Sequence, residues 1–116
     1  MTVTVTPVRV YTQVGTNRDL TLGTEHVTRL KRVEFTVEDA PAAPFPYLRG
    51  EWVIHSVTAT WDSGSRRHGP RVDAAARRVL KGGSLGARRL ERGLFGDGIP
   101  AWLAPVIEEH TPEWAR

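Results

Sequence analysis

The residues best suited to chemistry are crowded into one stretch. Residues 62–96 hold nine basic side chains (Arg66, Arg67, Arg71, Arg77, Arg78, Lys81, Arg88, Arg89 and Arg92) against Asp62, Asp73 and Glu91. Guanidinium groups match phosphate bidentately, and several together give a salt-dependent, mostly sequence-independent affinity for nucleic acid. Arg66, Arg67, Arg77, Arg78, Lys81, Arg88 and Arg89 are the candidate phosphate contacts. The stretch has one aromatic residue, Phe95, and no Asn or Gln to read base edges, so the expected partner is a nucleic-acid backbone rather than a base sequence. The competing use of these arginines is to solvate one face and to pair with Glu108, Glu109 and Glu113, within the molecule or across a dimer. A second class of function is a protein-interaction or assembly component, alone or as a homo-oligomer. Trp52, Trp61, Trp102 and Trp114 would be its anchors, since Trp and Arg dominate interface hot spots. Core packing is the other employment of the same tryptophans.

Other chemistries find little support. "LKGGSLGARR" is Gly-rich and basic, so its N–H groups can cradle a phosphate with Ser84 capping a following helix. It lacks the GK[ST] ending of a P-loop and the spacing of a dinucleotide fingerprint, which favours a plain turn. His26, His55, His68 and His110 show no HxH, HxxH or HxxxH pairing, so no metal is expected. Ser84, Asp62 and His68 can be drawn as a triad, but no nucleophile elbow accompanies them. The absence of cysteine removes thiol nucleophiles, thiolate metal sites and disulfides. No catalytic residue and no cofactor are expected.

The elements that must hold these residues are mostly strands. "VTVTPVRVY" alternates at Val3 and Val5, then at Val8 and Val10, so its phase flips across Pro7, which suits an edge strand with a bulge. "RVEFTVE" puts Val33, Phe35 and Val37 on one face. "EWVIHSVTATW" reads as a central strand with Val53, Val57, Ala59 and Trp61 on one face and Trp52 and Ile54 opposite. Between these two, Pro41, Pro44 and Pro46 forbid helix, and the segment reads as a loop pinned by Phe45 and Tyr47.

Residues 71–81 admit two readings. As a helix, Pro70 opens it, Val72, Ala75, Ala76, Val79 and Leu80 share a stripe, and Gly82-Gly83 ends it. As a strand, "DSGS" is a hairpin turn after which Val72, Ala74, Ala76 and Leu80 alternate with Arg71, Asp73, Ala75, Arg77 and Lys81. Near the end, Trp102, Leu103, Val106, Ile107 and His110 form a helical stripe that Pro105 either kinks or starts, and Trp114 is expected to fold back. Together these elements predict a single α+β domain: a small antiparallel sheet of three to four strands packed with a C-terminal helix. Val33, Phe35, Val37, Val53, Val57, Trp61, Trp102, Leu103, Val106 and Ile107 are its expected core.

From about Trp52 onward the chain resembles a loose pattern in small uncharacterised proteins of actinobacteria and their phages. It comprises a strand ending in Trp, a Gly-containing turn, a second strand, then "RVLKGGSLGARR" and a closing "IPAWLAPVIEEHTPEW". The resemblance implies that the segment after the turn is the return strand of a hairpin; it implies no activity and no site residue. The length of 116 residues suits one domain, 40% hydrophobic and 25% charged residues are ordinary globular composition, and the net charge is +3. No run approaches the roughly 20 apolar residues of a membrane span, and "MTVTVTPVRVYTQ" is not a signal peptide. The expectation is a cytoplasmic protein with no membrane partner.

Overall fold

The computed structural model describes residues 2–19, 23–45, 48–92, 95 and 98–116. It is an open antiparallel sheet of five strands, β1 (Thr4–Asp19), β2 (Thr24–Glu38), β3 (Trp52–Asp62), β4 (Arg71–Val79) and β5 (Leu85–Arg92), each hydrogen-bonded to its neighbour in sequence. A four-residue helix, α1 (Ser65–His68), sits between β3 and β4, and a seven-residue helix, α2 (Ala104–His110), precedes a closing 3-10 turn (Glu113–Ala115). The expected three to four strands are therefore five, and the molecule is mostly sheet.

Two bulges align the apolar residues. In β1 the register shifts between Pro7 and Arg9, so that Val5 faces Val37 and Val10 faces Val33. The phase flip read across Pro7 is thus a bulge on an edge strand, where a missing N–H costs no ladder bond. In β3 a shift between Ile54 and Ser56 brings Ile54 opposite Ala76 while Val57 stands opposite Ala74. Trp52 and Ile54 therefore join Val57, Ala59 and Trp61 in one core, contrary to the two faces expected from unbroken alternation. Val33, Phe35, Val57, Trp61 and Leu103 are the largest fully buried side chains. Val53, Trp102 and Val106 pack against this cluster only partly buried.

Residues 71–79 form the return strand. Alanine favours helix, but Ala74, Ala75 and Ala76 are flanked on both sides, by β3 and β5, and are each no more than 2% exposed. Ladder bonds on two sides override an intrinsic preference worth a fraction of a kcal/mol per residue. Gly82 and Gly83, both at positive φ, turn the chain into β5.

One face of the sheet is covered. Leu103 and Ile107 of the α2 region and Ala115 lie in the core cluster, and Trp114 folds back against it as expected. Pro105 falls in the first turn of α2, where its missing N–H is harmless. The far end of α2 is closed by side chains: Lys31 Nζ donates to the His110 oxygen at 2.7 Å, Thr111 Oγ1 to that of Ile107 at 2.8 Å, and His110 Nδ1 to that of Val106 at 2.9 Å. These bonds satisfy carbonyls that a helix end leaves open. In the loop before β3, Phe45 stacks edge-on against Phe95 at 6.1 Å, and Trp52 Nε1 donates to the Arg49 oxygen at 2.8 Å. Tyr47, the other expected pin, lies outside the described residues.

Candidate functional site

The predicted basic residues fall in several places. Arg66 and Arg67 sit exposed on α1, at one end of β4, and Lys81 lies in the turn at its other end. The strand between them spans roughly 26 Å at 3.3 Å per residue. Arg77 and Arg78 are adjacent in β4 and so point to opposite faces; Arg77 stands opposite Val53 on the open face, while Arg78 stands opposite Trp52. Arg78 is also close-packed against the loop, its Nε within 2.9 Å of where a Cβ on Gly50 would lie. Across the β4–β5 ladder Arg88 pairs in register with Arg77, and Arg89 with Ala76. No single face gathers all seven.

The face without a helix has its own basic character. A cross-strand row runs Tyr11, Arg32, Thr60, Arg71, and the next runs Arg9, Glu34, Thr58, Asp73. Arg71 Nε lies 3.1 Å from Asp73 Oδ2 and Arg9 Nε 3.8 Å from Glu34 Oε2, whereas Arg32 and Arg77 form no ion pair among the described residues. The acidic C-terminal residues pair elsewhere: Arg116 lies 2.8 Å from Glu108 and 3.8 Å from Glu113. Arg66 Nε donates to the main-chain oxygen of Arg116, joining the basic stretch to the end of the chain.

The remaining sequence candidates resolve into structural roles. Ser84 closes the β4–β5 turn, in which Leu80 N donates to the Ser84 oxygen at 2.8 Å and Gly83 N to the Leu80 oxygen at 3.0 Å. A strand follows it, so "GGSLG" has no helix N-terminus to hold a phosphate. Asp62 Oδ1 accepts from Gly64 N at 2.8 Å and shapes the opposite turn, a strand length away from Ser84. Among the described residues no group of three or more His, Asp or Glu side chains is placed to hold a metal ion. No helix among them is long and apolar enough to cross a membrane. Trp52 and Trp61 are core, and Trp102 and Trp114 pack against it.

The surface that the sequence does not announce is the end of the first hairpin. β2 pairs with β3 only from Leu30 to Thr36, although its ladder with β1 continues from Val14↔Arg29 out to Asp19↔Thr24. Six residue pairs thus form a bare two-stranded arm, about 20 Å long at the usual strand rise. Arg29 N donates to Ser63 Oγ at 3.1 Å and braces its root. On the face that carries Val37, Phe35 and Val33, the register sets Val10 beside Val33 and, past Lys31, Val14 beside Arg29, then Val27; these valines are 56%, 64% and 50% exposed respectively. Tyr11, on the other face, is 49% exposed.

No family model, no curated protein and no solved structure matches the chain.

Proposed function

We propose that this protein is a non-enzymatic assembly component that docks onto another protein surface through its projecting β1–β2 arm. One observation carries the reading: the two-stranded arm holds Val14 and Val27 in water, and Val10 on the same face at its root is also exposed. A two-stranded hairpin by itself is marginally stable in water, and clustered exposed apolar residues mark interaction surfaces. The arm therefore calls for a covering partner. Trp52 and Trp61, buried in the core, are not its anchors. The test is a photo-crosslinking side chain at position 14, introduced in the organism that makes the protein, with the exposed Lys81 position as control. Discrete protein adducts at 14 and not at 81 are expected. Equal labelling at both, or none, overturns the reading.

A second reading rests on a different observation, the helix-free sheet face with Arg32 and Arg77 lacking ion pairs among the described residues. Such a face suits a phosphate backbone. Arg66, Arg67, Arg78, Lys81, Arg88 and Arg89 would then contribute to the surrounding field rather than to one binding plane. Binding should be equal on unrelated duplexes, and the Arg32→Ala/Arg77→Ala variant should flatten the log–log salt slope by about one unit for each phosphate no longer neutralised. No binding at about 50 mM salt, where this term is strong, rejects it.

A further inference from the structure

We infer that the partner at the arm is a second copy of this chain, laid antiparallel along the outer edge of β1 at the root of the arm, so that two five-stranded sheets join into one. The inference rests on the docking reading above and supplies its partner. β1 stands first in the sheet and has a neighbour on one side only, so its outer N–H and C=O groups are open to pairing. Edges are ordinarily blunted by charge, proline or a bulge, and the two edges of this sheet differ in that respect. β5, "LGARRLER", carries four charges in eight residues. β1 has Pro7 and its bulge near the start, after which residues 9–15, "RVYTQVG", hold one charge, Arg9. Of the eight large apolar side chains exposed among the described residues, Val8, Val10, Tyr11 and Val14 all lie on β1.

The symmetry of that stretch names the occupant. Pairing it antiparallel with its own copy about Thr12 sets Thr12 opposite Thr12, Val10 opposite Val14, Tyr11 opposite Gln13 and Arg9 opposite Gly15. Both exposed valines then meet a valine, and each Arg9 faces a glycine, with the two arginines at opposite ends of the ladder. Tyr11 Oη lies 3.4 Å from Gln13 Oε1 along its own strand, and across the new ladder the same phenol and amide become neighbours twice more. A slip of two residues in either direction parts both valine pairs. Residues opposite each other in a ladder share a face, so α2 lies on the same side of the joined sheet in both copies. A strand from another protein would need no such palindrome about Thr12. The same patch serves both copies, so the contact is isologous and closes at two chains.

The test uses the full chain in sedimentation equilibrium, with Thr12→Lys, Thr12→Asp and an equal mixture of the two. Thr12 is exposed, so folding is retained, and a far-ultraviolet spectrum checks it. The wild type should form a reversible dimer at concentrations up to about 100 µM. A residue on the two-fold axis faces its own copy, so each variant alone should associate about tenfold more weakly or worse, because like charges are juxtaposed. The mixture should dimerise again, since opposite charges then face each other. Thr12→Cys gives an independent reading in a chain that has no other cysteine: under mild oxidation it should link to itself. Val10→Cys should not, because its own copy lies four residues along the ladder, about 13 Å at the usual rise, beyond the reach of a disulfide. A monomeric wild type, variants that associate like it, a mixture that stays apart, or linking at 10 in place of 12 would each overturn the second copy as occupant. Adducts at position 14 with a different protein and none with this chain would do the same and leave the docking reading standing; the absence of any adduct removes both.

Discussion

At the scale of single residues, the molecule turns on a few buried side chains. Phe35, 1% exposed, sits in the central row of the sheet and meets His110 edge-on at 5.1 Å. Phe35→Ala should cost roughly 3–5 kcal/mol, the range for deleting a buried aromatic, read from urea denaturation. A loss below about 0.5 kcal/mol, the usual surface value, would place Phe35 outside the core. Lys31 tests the end of α2: its Nζ both donates to the His110 oxygen and lies 5.8 Å from the Trp61 ring centroid. Lys31→Met keeps most of the apolar stem and removes the donor, so it should cost about 1 kcal/mol, typical of a partly exposed hydrogen bond. Of the ten residues expected in the core, seven are buried and Val53, Trp102 and Val106 are partly so. Those legible positions have periodicity unbroken by a bulge. Strict alternation sets Trp52 and Ile54 on the opposite face, but a one-residue insertion in a strand reverses every side chain beyond it, and nothing in "IHS" announces one.

At the scale of elements, strands are legible in the sequence at β1, β2 and β3, but not how far the first two extend. Residues 12–31 lack a sustained apolar alternation, since an arm with no core to cover is under no pressure to keep one. Their threonines and valines, Thr12, Val14, Thr16, Val27 and Thr28, are the available signal. The choice between helix and strand at 71–79 is undecidable locally, because Ala-rich composition serves both and only the flanking strands select one. The arm gives an element-scale prediction. Replacing residues 14–29 by an Asn-Gly turn should leave the thermal midpoint of the body nearly unchanged, since none of the core cluster lies in that segment. A fall of more than about 8 °C, the upper shift for 1 kcal/mol in a domain of this size, would show that the arm supports the body. The β4–β5 turn is less forgiving: Gly83→Ala, at φ 87°, should cost about 1 kcal/mol because an L side chain is strained there.

At the scale of the whole molecule, the arm governs shape. The Cα radius of gyration is 17.1 Å and the extents are 63 × 26 × 21 Å, whereas a compact chain of this length would have a radius of about 13 Å. Small-angle scattering of a monomeric sample should report the larger value; a radius near that of a compact chain would mean that the arm folds down. The grouping of arginines by sequence does not carry over to space, because alternation along β4 and β5 sends neighbours to opposite faces while α1 and the Gly82-Gly83 turn hold the remainder apart. The spatial order of the strands repeats their order in the chain. Each new strand therefore finds its partner already made, with no crossover to thread. A chain leaving the ribosome can lay down its sheet one strand at a time, starting with the arm, and the last edge to be laid down is the arginine-bearing β5.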